Sequence, residues 1–194
     1  MCVNRFFIQD SVYDAFTRKL AEAVSAMRVG SALDGDTEQG PLINAAALAK
    51  VEAHVGDALE KGAKLLCGGR RHALGGTFFE PTILTEAHGE MLIAQEETFG
   101  PVAACFRFKD ETEVLQRAND TPFGLSAYFY SRDIGRVWRM AEGLEAGMVG
   151  INEGIISTEV APFGGIKESG LGREGSKYGL DDYLEIKYLL MGGL

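Results

Sequence analysis

The chain has 194 residues, of which 46% are hydrophobic and 24% are charged, as is ordinary for a soluble globular protein with a sound core. Its net charge of −9, with the basic residues scattered, argues against a nucleic-acid-binding protein, because neutralising phosphates requires a basic face. No apolar run approaches the ~18 residues of a membrane helix, and the N-terminus lacks the pattern of a signal peptide. We therefore expect a cytoplasmic protein that binds neither nucleic acid nor membrane.

The first part of the chain predicts a strand and two helices. VNRFFIQ (3–9) is a strand candidate, and Asp10 and Ser11 are candidate caps for the helix that follows. A polar, glycine-rich loop over 30–41 separates the two helices. Helical spacing predicts that the apolar face of the first helix consists of Val12, Phe16, Leu20 and Val24. It predicts that the apolar face of the second consists of Leu48, Val51, Val55 and Leu59.

The middle of the chain alternates strands and helices. A short strand at 63–69 and an extended piece at 76–84, whose Pro81 indicates an edge or a bend, lead into it. VAACFRF (102–108) is a continuous apolar run, typical of a strand buried on both faces. We then predict a helix at 111–118, a strand at 125–131, a helix at 133–145 and a strand at 147–152. The inward residues of the last helix are predicted to be Ile134, Val137, Trp138, Ala141 and Leu144. This β-α-β-α-β order predicts an α/β fold with parallel strands.

The last part of the chain is irregular and rich in glycine. A long irregular segment within a compact domain is usually functional. Residues 170–175 (GLGREG) match G-x-G-x-x-G, but no strand immediately precedes them, and the chain ends about 19 residues later. We therefore interpret these glycines as a tight loop with positive φ. DDYLEIKYLL (181–190) alternates in polarity and predicts a final strand that can pair at an open sheet edge, including a partner's.

Two stretches carry a family resemblance. EETFGPV (96–102) and APFGGIKESGLGREGSKYG (161–179) together resemble the aldehyde dehydrogenase superfamily. The resemblance covers essentially the whole chain, and GIIS, REGSKYG and YLEIKY are most similar to its succinate-semialdehyde dehydrogenases. It implies an α/β fold with a mainly parallel twisted sheet, flanking helices and a C-terminal oligomerisation strand. It implies that residues 1–165 are part of the catalytic domain, that 166–194 carry the oligomerisation strand, and that the N-terminal NAD(P)-binding domain is absent.

The resemblance also bears on the three cysteines. Members of this subfamily carry a Gly-Gln-Thr-Cys-x-Cys-x-Asn-Arg-like run, and Asn4 and Arg5 match its end. In this register Cys2 matches the second cysteine, and the nucleophile would lie one position before Met1. Cys2 is then a possible redox-switch residue, although without its partner we expect it to pack in the core. Cys67 and Cys105 lie in apolar runs and are also expected in the core.

No metal site is predicted from the sequence. None of the cysteines pairs with another at the spacing of zinc ligands, and none clusters with a histidine. The histidines are His54, His72 and His88.

By the resemblance, three residues contribute to binding NAD or NADP. Glu97 holds the ribose hydroxyls next to the nicotinamide, Phe99 packs beside that ribose, and Lys50 reaches the adenosine ribose. Alternatives stay open: Glu97 as a solvated loop charge, Phe99 as a core residue, and Lys50 as a solvated helix residue. Ser157 and Phe163 match the loop that lines the aldehyde tunnel, where the serine helps to bind a substrate carboxylate. Ser157 is alternatively a loop hydroxyl bonded locally.

The implied reaction is oxidation of an aldehyde, most simply succinate semialdehyde to succinate, through a cysteine thioester. These 194 residues include neither the nucleophile nor the general-base glutamate, so we expect the chain alone to be inactive and to bind no cofactor tightly. The implied partners are a small aldehyde and further copies of the protein, paired through the C-terminal strand. One alternative is a non-catalytic fragment that pairs with full-length subunits, and another is an independent α/β module with a different ligand.

Overall fold

The computed structural model describes residues 3–193. Two units divide the chain: the first ends at Asp110 and the second begins at Glu111. In chain order the elements are β1 (Arg5–Gln9), α1 (Tyr13–Ser25), α2 (Ala45–Glu60), β2 (Lys64–Cys67), β3 (Thr82–Thr85), α3 (Leu92–Gln95), β4 (Val102–Phe108), α4 (Glu111–Asn119), β5 (Phe123–Gly124), β6 (Ser126–Phe129), α5 (Ile134–Gly143), β7 (Met148–Ile151) and β8 (Ile166–Lys167). Within residues 3–193 no helix is both long and apolar enough to cross a membrane.

The first unit is built on a four-stranded sheet in the order β1-β4-β3-β2. β4 is parallel to both β1 and β3, whereas β2 and β3 are antiparallel. Ala104, Cys105 and Phe106 in the middle of β4 are buried, so the strand predicted to be covered on both faces is confirmed. The predicted α/β class with a mainly parallel sheet is confirmed as a mixed sheet with flanking helices.

The position of Pro81 corrects one prediction. The strand after it begins at Thr82 and lies between β4 and β2, so it is not an edge strand. Proline is tolerated there because it immediately precedes the strand, where its missing N–H removes no ladder hydrogen bond. The Thr82 N–H makes the first bond, to the Pro101 carbonyl oxygen at 2.8 Å.

The first helix is present, but the face predicted to be buried is wrong at its first turns. Val12 and Phe16 are 52% and 42% exposed, whereas Tyr13 and Thr17 are buried. Tyr13 fits the inner face because its hydroxyl finds partners there: it donates to the Cys105 carbonyl oxygen at 3.0 Å and accepts from the Glu86 N–H at 2.8 Å. Asp10 and Ser11 lie in a 3-10 turn and make no side-chain cap, because the Asp10 carboxylate accepts from Arg107 instead.

The second helix follows its prediction closely. Leu48, Val51 and Val55 are buried in the main core, together with Phe79, Leu84 and Phe106. Leu59 is partly exposed, and Ala58 takes the buried place one residue earlier.

In the second unit, β6 and β7 are parallel and α5 connects them, as predicted. β4 is not part of their ladder, since it pairs with β1 and β3 within the first unit. The predicted β-α-β-α-β run therefore does not form one continuous sheet, because strands adjacent in sequence need not pair.

The buried face of α5 also differs from the prediction. Ile134 and Trp138 are exposed, and Met140 is the buried residue of this helix. The helix is tied to α4 by Arg136 and Arg139, which both bind Glu111. These ion pairs link α5 to α4, while Ile134 and Trp138 stay exposed.

The glycine-rich segment at 170–175 is a loop, as predicted. Gly170, Gly172 and Gly175 have φ of +109°, +77° and +65°, values that residues with a Cβ rarely adopt. A 3-10 turn at Tyr178–Tyr183 follows, and no regular strand–glycine–helix unit is formed here. This stretch therefore matches the dinucleotide fingerprint in sequence only and not in structure.

The strand predicted at 181–190 is not formed in this single chain. Among the described residues, those from Leu184 to Gly193 belong to no ladder. Side chains of both predicted faces are exposed, including Leu184, Ile186, Tyr188, Leu189 and Leu190. Alternation can predict a strand, but a strand forms only when an edge is available for it to pair with.

Candidate cofactor-binding site

The segment between α3 and β4 presents the two residues that the first motif singled out. Glu97 and Phe99 are exposed, Phe99 to 71%, whereas Thr98 between them is 1% exposed. Thr98 is turned inward between two exposed neighbours, and its carbonyl oxygen accepts from the Gly100 N–H at 2.9 Å. Phe99 is not part of the core that the described residues form, so an exposed carboxylate and an exposed aromatic ring lie two residues apart.

One polar stripe on α2 faces this segment. Lys50, His54 and Asp57 follow one another at helical spacing, so they lie along one side of the helix. His54 is only 2% exposed. Its Nδ1 lies 2.7 Å from the Thr98 hydroxyl, and its Nε2 lies 3.4 Å from a carboxylate oxygen of Glu96. The imidazole thus contacts the residues on both sides of Glu97.

Glu96 is the charged centre of this cluster. The Lys50 ammonium lies 3.4 Å from its carboxylate. Its hydrogen bond with Lys50, and then that with His54, hold the pKa of Glu96 below its ordinary value. Lys50, predicted to reach a ribose, is therefore placed beside the residue that precedes Glu97.

Asp57 attaches the start of the same segment to α2. Its carboxylate accepts from the Leu92 N–H at 2.7 Å, at the first residue of α3. The ion pair with Lys61, and then this N–H, keep the pKa of Asp57 below its ordinary value. At the far end, Gly100 packs so closely on Val51 that a Cβ there would collide with the valine side chain. Residues 92–100 are therefore held against α2 at three places.

Sequence reasoning missed His54, Thr98 and Glu96. His54 looked like a helix residue without a role, because its apolar neighbours Val51 and Val55 dominate the helix. The available signal was the polar stripe on α2 at positions 50, 54 and 57, opposite a pair of polar residues two apart at 96 and 98.

The two residues predicted to bind the aldehyde lie in the second unit. Both belong to the irregular stretch between β7 and β8, where Ser157 is exposed and Phe163 is half-buried. The backbone of Phe163 pairs with Glu174 through two hydrogen bonds of 2.7 and 2.8 Å. The neighbouring Gly164 is required there, because a Cβ would lie 2.7 Å from the Gly172 carbonyl oxygen.

Neither described cysteine has the surroundings of a nucleophile. Cys105 is fully buried, as predicted, and burial raises the pKa of its thiol to about 12. Cys67 is half-buried against the same cluster. Cys2 lies outside the described residues, so its predicted role stays a prediction. Among the residues that the structure describes, no cluster of three or more histidine, cysteine or acidic side chains could hold a metal ion.

The side chains at 96–99 suit a ligand in which a hydroxylated sugar ring is joined to a flat aromatic ring. A carboxylate offers acceptors for two neighbouring hydroxyls, and an exposed aromatic face offers a flat apolar surface. These features fit a ribose that carries a planar base.

Comparison with known sequences shows which family the chain resembles. The sequence model of the aldehyde dehydrogenase family matches residues 1–189. The chain is 62% identical over its whole length to the glutarate-semialdehyde dehydrogenase of Pseudomonas aeruginosa. It is 60% identical over 99% of its length to an Escherichia coli succinate-semialdehyde dehydrogenase described as NADP(+)-dependent. It spans 40% of the length of each of these relatives.

Solved structures show the same similarity. The crystal structure of succinate-semialdehyde dehydrogenase from Burkholderia pseudomallei matches with a TM-score of 0.96 and 64% identity, over 97% of this chain and 39% of that one. Betaine aldehyde dehydrogenase from Staphylococcus aureus, in complex with NAD+, matches with a TM-score of 0.88 and 40% identity, over 93% of this chain and 37% of that one.

Proposed function

This chain belongs to the aldehyde dehydrogenase family, and on that premise we propose that it supplies part of an NAD(P)-dependent enzyme that oxidises an aldehyde, with succinate semialdehyde as the first candidate. The observation that carries the proposal is the pair of exposed side chains, Glu97 and Phe99, on a segment held against α2. Residues 1–165 are proposed to belong to the catalytic domain and 166–194 to carry its oligomerisation segment, and the cytoplasmic location predicted from the sequence is part of the same proposal.

In this proposal three side chains of the first unit bind the cofactor. Glu97 accepts hydrogen bonds from the ribose hydroxyls, Phe99 packs against the ribose and nicotinamide, and Lys50 reaches toward the adenosine ribose. The nicotinamide, when bound, supplies the acceptor for the hydride that leaves the aldehyde carbon. The exposure of Glu97 and Phe99 supports this role, because a ligand can reach both.

The substrate residues are proposed to be Ser157 and Phe163. An exposed hydroxyl on an irregular loop can donate to a carboxylate at the far end of the aldehyde. The half-buried ring of Phe163 can line an apolar passage. Relatives named for succinate semialdehyde and glutarate semialdehyde support a substrate of this kind, since both aldehydes carry a distal carboxylate.

We expect a polypeptide of these 194 residues to show no turnover by itself. In the register of the family resemblance, none of Cys2, Cys67 and Cys105 matches the nucleophile. Cys105 cannot replace it, because the thiol is buried and its pKa of about 12 keeps it protonated at neutral pH. Measurement of NADH or NADPH formation with succinate semialdehyde tests this, and detectable turnover by the purified chain would contradict it.

The activity is tested in a hybrid enzyme in which residues 1–194 replace the matched part of the Pseudomonas aeruginosa relative. The hybrid should reduce NAD+ or NADP+ with succinate semialdehyde. Glu97→Gln should raise the KM for the cofactor about tenfold and leave the KM for the aldehyde unchanged, because only ribose binding is weakened. Glu52→Gln is the matched control on α2, where Glu52 binds Arg71 at the surface. A hybrid without turnover, or a Glu97 variant that behaves like the control, would contradict the proposal.

A second candidate function rests on the exposed C-terminal segment. The apolar side chains between Leu184 and Met191 favour a fragment that pairs with complete subunits. Co-purification of the tagged chain with an untagged intact relative tests this candidate, and separate elution of the two would exclude it.

A further inference from the structure

We propose that His54 is a positioning residue for the cofactor site: its buried imidazole holds residues 96 and 98, so that Glu97 and Phe99 face outward. The inference rests on the proposed function, since it requires Glu97 to contact the cofactor. It concerns a histidine on α2, not the motif that carries the family resemblance.

The geometry of the imidazole is the first argument. Its two nitrogens lie on opposite sides of one rigid ring, and each is used: Nδ1 at 2.7 Å from Thr98 Oγ1, and Nε2 at 3.4 Å from Glu96 Oε2. A carboxylate only accepts hydrogen bonds, so Nε2 carries the proton that faces Glu96. In the neutral ring Nδ1 then accepts, and the Thr98 hydroxyl donates to it.

The position of Glu97 in this segment is the second argument. Glu97 lies between the two residues that contact the ring, and Phe99 follows Thr98, whose carbonyl oxygen accepts from the Gly100 N–H at 2.9 Å. Thr98 is buried against the ring, Glu96 contacts it from an exposed position, and Glu97 and Phe99 are exposed. One histidine therefore contacts the residues on both sides of Glu97, which limits the directions in which the Glu97 carboxylate can point.

The remaining contacts make this role separable from folding. Asp57 still holds the start of α3 through the Leu92 N–H at 2.7 Å. Lys50 still faces Glu96 at 3.4 Å, and Gly100 still packs on Val51. Removal of the imidazole nitrogens should therefore leave the segment attached to α2 at both ends and loosen it around Glu97.

The test compares four variants in the hybrid enzyme. His54→Phe fills the space without a nitrogen, whereas His54→Asn and His54→Gln restore a polar atom near the Nδ1 and Nε2 positions. Thr98→Val removes the hydroxyl partner at nearly constant volume. His88→Phe is the matched control, because His88 is exposed and its Nε2 contacts only the Lys61 carbonyl oxygen, at 3.0 Å. Thermal unfolding identifies any variant that fails to fold.

The KM for the cofactor, the KM for the aldehyde and kcat are measured for each variant. His54→Phe and Thr98→Val should raise the cofactor KM about tenfold while the aldehyde KM changes less than about twofold. His54→Asn or His54→Gln should reverse at least half of that rise in the cofactor KM on a logarithmic scale. In the neutral form of His54 in the 194-residue chain, ¹⁵N NMR should show the ring proton on Nε2.

The outcomes distinguish failure of this inference from failure of the proposed function on which it rests. If Glu97→Gln raises the cofactor KM while a folded His54→Phe enzyme matches the His88 control, His54 is a structural residue and the inference fails alone. If Glu97→Gln itself has no effect, the proposed cofactor role fails. If His54→Phe does not fold, the Thr98→Val variant tests the inference in its place. An unchanged cofactor KM in that variant overturns the inference.

Discussion

The buried side chain of Tyr13 connects distant parts of the first unit. Its hydroxyl donates to the Cys105 carbonyl oxygen at 3.0 Å and accepts from the Glu86 N–H at 2.8 Å. Arg107 lies over its ring at 3.7 Å. Burial raises the pKa of Tyr13 to about 12. A single phenol thus connects α1 to β4 and to the residue after β3.

Tyr13→Phe should lower the free energy of unfolding by about 1–3 kcal/mol, because the half-buried Glu86 N–H loses its acceptor. Urea unfolding followed by circular dichroism measures this change. Tyr130→Phe is the control at an exposed tyrosine and should shift the free energy by less than about 0.5 kcal/mol. Equal effects of the two substitutions would show that the Tyr13 hydroxyl contributes nothing particular.

Cys105 should resist alkylation in the folded chain. Its thiol is inaccessible and its pKa is raised from 9.0 to about 12, so almost no thiolate exists at pH 8. The neutral thiol favours the folded state fully below pH 9, and this contribution is lost as the pH rises from 9 toward 12. Iodoacetamide labelling with peptide mass spectrometry should modify Cys67 before Cys105, and labelling of both at one rate would contradict the burial argument.

At the same scale, part of the candidate site was predictable. Glu97, Phe99 and Lys50 were named from a motif and a helix position, and the structure shows that Phe99 is exposed. His54 was not predicted, because its partner Thr98 lies 44 residues away and nothing local to the helix indicates it.

At the scale of elements, α4 and α5 are joined by one carboxylate. Glu111 on α4 accepts from Arg139 at 2.6 and 2.9 Å and from Arg136 at 3.2 Å, both on α5. The hydrogen bonds with Arg139, supported by those with Arg136, lower the pKa of Glu111 from 4.5 to about 2 against the opposing effect of burial. A lowered pKa in the folded state means that the charged form stabilises folding.

Glu111→Gln should reduce the acid sensitivity of the chain. The contribution of Glu111 is fully present above pH 4.5 and is lost as the pH falls toward 2, so the variant should lose less stability over that interval than the original chain. Urea unfolding at pH 5, 4, 3 and 2.5 measures how the free energy of unfolding changes with pH in the variant and in the original chain. Glu142→Gln, at an exposed carboxylate on α5, should keep the original slope. A Glu111 variant with an unchanged slope would contradict the assignment.

At this scale the sequence predicted elements better than their orientation. The apolar run of β4 and the buried residues Leu48, Val51 and Val55 of α2 were predicted correctly, because burial on both faces and a 3.6-residue period leave clear patterns. The buried faces of α1 and α5 were not, because they depend on contacts with distant residues, such as those of the Tyr13 hydroxyl with Cys105 and Glu86.

At the scale of the whole molecule, the C-terminal segment is an exposed apolar stretch that pairs with no strand among the described residues. Its side chains from Leu184 to Met191 are exposed on both sides. Segments of this kind pair with sheet edges of other chains. We therefore expect the chain to associate with copies of itself through residues 184–191.

Substitution of Ile186 and Leu190 by lysine should reduce this association, because two charges in a paired strand are costly to bury. Sedimentation velocity at two concentrations should give a smaller mean mass for the double variant than for the original chain. Leu33→Lys is the control, since Leu33 is exposed elsewhere in the chain. Identical mass distributions for all three proteins would place the contact outside this segment.

By itself, the sequence determined the α/β class, most of the strands and helices, and the motifs that carry the resemblance. Local periodicity records which faces a segment must bury, and the family motifs are contiguous runs of residues. The tertiary structure decided that β4 lies between β1 and β3, that the last segment finds no edge within the chain, and that His54 meets Thr98 and Glu96. These outcomes depend on contacts between distant residues, whose energies come from packing and hydrogen-bond partners that no single stretch of sequence contains.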